Sequence, residues 1–146
     1  MQALSPNVSI RQGLAYATGT ADRTGAIMDM SGFDGIQMII QCAAVHDSAT
    51  YSVKAQEDDA VGGGTMADLL GTSITIAGTD DSQIFVIDIY RPLKRYIRVY
   101  VDKDASNACA ESVTYILYGA HKAPTTINVT DEVTGELHIS PIAGTA

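Results

Sequence analysis

Three histidines are the residues best able to bind a transition metal, but their spacing keeps them apart. His46 falls in a predicted turn, while His121 and His138 fall in the C-terminal part of the 146-residue chain. A jelly-roll metal enzyme needs several imidazoles and a carboxylate that converge on one ion. No HxH pair is present to begin such a cluster. The sequence therefore predicts no metal centre and no cofactor.

The loop that follows residue 101 begins like a calcium-binding loop. Asp102, Asp104 and Ser106 occupy alternate positions, as the first ligands of an EF-hand loop do. The glycine of that motif's sixth position is replaced by Asn107, and the glutamate of its twelfth position is replaced by Val113. These departures favour a solvated hairpin turn, with a weak surface cation site as the alternative.

Other patterns that could support catalysis are also incomplete. The glycine run 62–64 lacks the Lys-Ser/Thr ending of a phosphate-binding loop and precedes no predicted helix. The chain has no Trp, the residue that most often forms the platform of a sugar-binding cleft. Seven Tyr and two Phe keep a carbohydrate- or receptor-binding sandwich open as an alternative. We predict that the protein is not an enzyme.

The segment 90–101 instead predicts a contact surface. It contains four of the nine basic residues of the chain. From residue 96 onward it alternates, which is typical of a half-buried strand. One face is aliphatic, and the other carries Tyr and Arg, which are enriched where proteins meet. The predicted contact residues are Arg91, Lys94, Tyr96, Arg98 and Tyr100. The alternative is that the basic side chains pair with the chain's own carboxylates.

Composition limits the classes of partner. Hydrophobic residues make up 46% of the chain, which is typical of one globular domain. The net charge of −8 repels nucleic acid and anionic membranes, so we expect neither as a partner. No apolar run approaches the length of about 20 residues that spans a membrane. No secretory signal is visible, which predicts synthesis and retention in a cytosol unless the chain leaves by another route. Cys42 and Cys109 lie in apolar runs and are expected to be free and buried.

The positions that must carry these side chains are short strands at even spacing. Turn residues separate most of the strands, and no helix longer than one turn is predicted. This pattern predicts an all-β fold, a single antiparallel jelly-roll-like β-sandwich of about eight strands. The predicted strands are 26–30, 35–44, 50–57, 66–70, 73–77, 83–89, 95–101 and 112–119.

We expect the sandwich to occupy residues 22–119, between two extended arms. Residues 1–21 show no period and are interpreted as an N-terminal arm. Residues 120–146 lack enough apolar residues for a core and are interpreted as a C-terminal arm. Its alternating stretches suit addition as a strand to the sheet edge of a partner. The expected anchors are Ile127, Val129, Leu137 and Ile139.

Several short motifs follow one another along the chain. The motifs are Gly25-Ala26-Ile27 with Ser31-Gly32-Phe33, Gln56-Glu57-Asp58-Asp59, Asp68-Leu69-Leu70-Gly71, Lys94-Arg95-Tyr96-Ile97-Arg98-Val99 and Gly119-Ala120-His121-Lys122-Ala123-Pro124. Their order resembles that in a family of small β-sandwich virion proteins of tailed bacteriophages. The resemblance covers residues 24–125, and its last motif departs from the family pattern because Ala120 separates glycine from histidine.

This resemblance implies a virion structural protein and, within that class, a capsid decoration or cement protein on the outer head surface. The implied partners are the major capsid protein and further copies of the chain, as a homotrimer. A tail-associated structural module would show the same sequence pattern and remains the alternative within the phage class. The C-terminal arm lies outside the resemblance.

Overall fold

The computed structural model describes residues 3–103, 105–138 and 143. These residues form an all-β fold whose only helical element is a 3₁₀ turn, Ser5–Asn7. Among them, no helix is long and apolar enough to cross a membrane. The ten strands are β1 Ser9–Gly19, β2 Arg23–Thr24, β3 Met28–Asp29, β4 Gly35–Val45, β5 Thr50–Asp58, β6 Ala67–Asp68, β7 Ile74–Ala77, β8 Ile84–Tyr90, β9 Tyr96–Asp102 and β10 Cys109–Tyr118.

The strands form two antiparallel sheets in a jelly-roll arrangement. The first sheet has four strands in the order β1-β10-β4-β8. The second has six, in the order β2-β9-β5-β6, with β3 also paired to β9 and β7 also paired to β5. Because β2 and β3 share one neighbour, as do β6 and β7, each of these two pairs fills a single strand position. The predicted β-sandwich of about eight strands is confirmed.

Alternation along the strands places the core between the two sheets. Ile36, Met38 and Ile40 of β4 point inward from the first sheet, and Ile97 and Val99 of β9 point inward from the second. Each of these strands is therefore apolar on one face, as a sandwich requires. The buried and outward-facing residues of β9 are those predicted from the alternation in its sequence.

Tyr115 connects the two sheets at the centre of this core. Its side chain is buried, and its hydroxyl accepts a hydrogen bond of 2.9 Å from the N–H of Val99 in the opposite sheet. Gly13 and Gly25 lie against its ring and hydroxyl so closely that a Cβ at either position would overlap them. These two positions therefore require glycine because the tyrosine fills the space.

The expectation of an N-terminal arm over residues 1–21 is corrected by β1. Residues 9–19 pair with β10 along the edge of the four-stranded sheet. Register shifts occur between Gln12 and Leu14 and between Leu14 and Ala17. At each shift β1 contains one extra residue, so the side chains that face the core change from odd to even positions or back. The alternation expected of a strand is therefore absent from the sequence.

Candidate interaction surfaces

The predicted Tyr/Arg stripe lies on the outer face of the six-stranded sheet. Tyr96, Arg98 and Tyr100 are all half-buried there. The Arg98 guanidinium donates from Nε to Oε1 of Gln56 at 2.8 Å. The Tyr100 hydroxyl donates to Oδ2 of Asp22 at 2.9 Å. Both polar groups are therefore engaged within the chain.

Neighbouring basic side chains pair with the chain's own carboxylates. Arg95 holds Asp29 in a two-point contact, with Nε–Oδ1 at 3.0 Å and Nη2–Oδ2 at 2.7 Å. This guanidinium, helped by the N–H of Ser31, holds the pKa of Asp29 well below its usual range. Lys54 lies 2.7 Å from Asp68 and likewise lowers the pKa of that carboxyl. The alternative prediction for this region, that basic side chains pair with the chain's own carboxylates, is therefore observed for Arg95.

Arg91 and Lys94 belong to the loop between β8 and β9 and are not part of the stripe itself. Arg91 is exposed, has a φ of 52°, and places its guanidinium 5.1 Å from the ring centroid of Tyr90. The N–H of Lys94 donates to Glu57 at 3.3 Å. Leu93 between them is almost fully exposed. This loop is thus the more accessible half of the predicted contact region.

The C-terminal segment lies back along β1 of the same chain. The N–H of Thr125 donates to the carbonyl of Pro6 at 2.8 Å, and the Thr125 hydroxyl donates to the carbonyl of Ser5 at 3.1 Å. Further on, Glu132 accepts from the N–H of Gln12 and lies 3.5 Å from Arg11. The segment therefore covers part of the β1 edge.

The predicted anchor residues of this segment differ in their surroundings. Val129 forms an isolated bridge with Val133, and Ile127 packs against Gly135, so both are half-buried in a local turn. Leu137 is exposed. Ile139 lies outside the described residues. The described segment contains no further strand, so addition to a partner's sheet remains a prediction.

Exposed apolar side chains on the outer face of the four-stranded sheet were not predicted. Strand β8 turns Phe85, Ile87 and Ile89 inward. Its outward residues Ile84, Val86 and Tyr90 are 62%, 47% and 60% exposed. Register places Val86 beside Ile39 of β4, and Ile39 beside Thr114 of β10. The signal was present in the sequence, because residues 84–90 are apolar at positions of both parities.

A buried ion cluster was also missed. Glu111 of β10 lies 2.6 Å from Arg23 and 2.7 Å from Lys103, and the side chains of Glu111 and Lys103 are fully buried. The Lys103 ammonium also donates to the carbonyls of Gly19 and Cys109 at 3.2 and 3.1 Å. The contact between the Lys103 ammonium and Oε2 of Glu111 does not have hydrogen-bond geometry. It is therefore an ion pair without a hydrogen bond. The cluster joins the ends of both sheets. No local sequence motif predicts it.

The histidines lie beside surface carboxylates of the same chain. His121 lies 3.0 Å from Asp34, and His138 lies 2.9 Å from Glu136, both at the surface. Among the described residues no three His, Cys, Asp or Glu side chains could hold a metal ion together. Asp104 of the calcium-like loop lies outside the described residues. Cys42 and Cys109 are both buried, and burial raises the pKa of Cys42, whose thiol lies 2.9 Å from the Tyr51 hydroxyl.

Comparison with solved structures supports the fold. The crystal structure of PBSX exported protein XepA matches with a TM-score of 0.54 and 14% sequence identity. The match covers 94% of this chain and 46% of that one, so this chain spans about half the length of XepA. A protein of Bacillus endospore appendages, described as a novel family of disulfide-linked pili, matches with a TM-score of 0.45 and 12% identity. That match covers 81% of this chain and 95% of the other.

No protein-family model matches the sequence, and no curated protein matches it significantly. At 14% identity, the match to XepA shows similarity of fold alone.

Proposed function

We propose that this chain is a non-enzymatic virion structural protein that decorates the outer surface of a bacteriophage head. The observation that carries the proposal is the outer face of the four-stranded sheet, where apolar side chains of β8 are exposed beside Ile39. Exposed apolar side chains that lie side by side on a folded domain favour contact with another macromolecule. A head decoration protein acts through such contacts. Its partner is the major capsid protein.

Two further features support this proposal. The first is the resemblance of residues 24–125 to small phage virion proteins, which supplies the class of particle. The second is the distribution of charge. Basic side chains around β9 pair within the chain, and the chain as a whole has a net charge of −8, which favours solubility at high local concentration. The accessible loop with Arg91, Leu93 and Lys94 is a second candidate contact with the capsid.

The proposal includes self-association as a homotrimer at a point where capsid subunits meet in threes. Tyr96, Arg98 and Tyr100 are the candidate contact residues, supported by their half-burial on a sheet face. Light scattering of the purified full-length chain measures the number of copies directly. A monomer both in solution and on the particle would remove the trimer from the proposal.

The proposed function is tested by adding the purified protein to heads that lack it. Decorated heads should retain their DNA at a higher temperature than undecorated heads, because added contacts between capsid subunits oppose their separation. An Ile84→Lys, Val86→Lys double variant, which alters the outer face, should protect less well. An Ala67→Lys, Thr75→Lys variant of the other sheet is the matched control. Binding of the wild-type chain to tails alone, or to a glycan and not to heads, would support the alternative functions instead.

A further inference from the structure

In the described part of the chain, strand β8 is a long sheet edge to which no further strand pairs. Natural proteins protect edge strands with bulges, short length, charged residues or covering segments, because unpaired backbone groups invite pairing with another chain. In this molecule β2, β3 and β6 are two residues long, and β7 is four. Edge strand β1 has two register shifts and is contacted by residue 132, while residue 125 bonds to the turn that precedes it. β8 has seven residues, of which only Asp88 is charged.

Hydrogen bonds at both ends of β8 show which of its backbone groups face outward. The N–H of Cys42 donates to the carbonyl of Gln83 at 3.0 Å, and the N–H of Arg91 donates to the carbonyl of Asp34 at 2.7 Å. Residues 83 and 91 therefore turn their backbone groups toward β4. Because these groups alternate along an antiparallel strand, residues 84, 86, 88 and 90 turn theirs away from it. In the described part of the chain, no hydrogen bond reaches those groups.

We propose that β8 pairs antiparallel with β8 of a second copy of this chain, about a twofold axis at Ile87. This inference does not depend on the proposed function. The register places Ile84 opposite Tyr90 and Val86 opposite Asp88 of the other copy. All the outward backbone groups of both strands are then paired, by about eight hydrogen bonds. The two four-stranded sheets become one continuous sheet.

Charge favours a second copy as the partner and disfavours a register centred on Asp88. A twofold axis at Asp88 would place Asp88 opposite its own copy, and like charges directly opposite are destabilising. The axis at Ile87 avoids that contact. It also brings the end of β8 that carries Arg91 toward the Asp80–Asp81 turn that precedes β8 in the other copy. The strand is thus complementary to itself in charge as well as in backbone pairing, which argues for a second copy as its partner.

The test begins with light scattering of the full-length chain over a range of micromolar concentrations. The wild-type chain should associate in a step that doubles its mass. Val86→Asp should weaken this step by about tenfold or more, because it places a like charge directly opposite Asp88 of the other copy at two positions in the joint. Thr75→Asp places the same charge on exposed edge strand β7 and should leave the step unchanged. A monomer at every concentration, or a doubling that Val86→Asp does not alter, would overturn the inference.

Cross-linking tests the register independently of affinity. Chains with Val86→Cys are mixed with chains that carry Asp88→Cys and are oxidised gently. The proposed register brings residues 86 and 88 of different copies opposite each other, within the Cα separation of up to about 7 Å that a disulfide requires. A disulfide between the two kinds of chain should form readily, and each variant alone should form little. Preferential dimers of Asp88→Cys alone would contradict the register.

The light-scattering and cross-linking results can be distinguished from the result of the head-protection test. A trimer that forms through the face with Tyr96, Arg98 and Tyr100 would be unaffected by Val86→Asp. A wild-type chain that doubles its mass but does not protect heads would contradict decoration and leave the β8 joint intact.

Discussion

At the scale of single residues, the cluster around Glu111 has the largest consequence for stability. One carboxylate compensates two cations, Arg23 and Lys103, and the Lys103 side chain has no access to solvent. Removing one member of a buried ion pair is costly because the remaining charge cannot return to water. The cluster therefore fixes how the end of β10 meets β2 and the end of β9.

Glu111→Gln should destabilise the protein by about 3–5 kcal/mol, since it leaves two buried or partly buried cations without a counter-charge. Urea denaturation followed by circular dichroism measures the free energy of unfolding. Glu136→Gln is the matched control, because Glu136 is exposed and pairs only with His138 at the surface. If both substitutions lowered the free energy of unfolding by the same small amount, the prediction for Glu111 would be wrong.

At the scale of elements, the C-terminal segment is the part whose role is most open to experiment. Deleting residues 126–146 keeps Thr125, which bonds to Pro6 and Ser5, and removes Glu132, which bonds to β1. We expect the truncated chain to keep its sandwich, because the buried core residues lie within residues 8–117. We also expect it to bind heads less tightly.

Two measurements separate these expectations. Circular dichroism reports whether the truncated chain remains folded, and occupancy on heads reports binding. Thr126→Ala is a control that alters an exposed residue of the segment and leaves its length unchanged. Full occupancy and full heat protection by the truncated chain would rule out a clamping role for this segment.

Elements with a regular alternation were predictable from the sequence. The predicted strand 95–101 corresponds to β9, and the run 35–44 corresponds to β4, because each has an apolar face that must be buried. β1 was not predictable, since its bulges at residues 12–17 interrupt the alternation. The Glu111 cluster joins residues 88 positions apart in the chain, which no local pattern reveals.

The contact surface on β9 stays a prediction, and the structure adds the partners of its polar groups. Tyr and Arg on β9 indicate an interface by type, but the sequence could not show that Gln56 and Asp22 already satisfy Arg98 and Tyr100. These partners belong to a different strand and to a distant loop. The exposed apolar side of β8 depends on sheet order, because only an edge position leaves both its outer face and its backbone open.

At the scale of the whole molecule, the fold presents two sheets with different outer faces. The six-stranded sheet carries polar and charged side chains that pair with one another, whereas the four-stranded sheet exposes apolar side chains along β8. A decoration protein of this design would place the apolar face against the shell or against another copy and the acidic surface toward solvent. The mass and cross-linking measurements test the joint through β8, and the head-protection assay tests contact of the same face with the shell.

The most direct test of the proposed decoration is quantitative mass spectrometry of purified heads and purified tails from phage particles produced by the source of this chain. We expect the protein in heads, in a fixed ratio to the major capsid protein, and at background level in tails. Enrichment in tails with absence from heads, or absence from both, would contradict a role on the capsid surface.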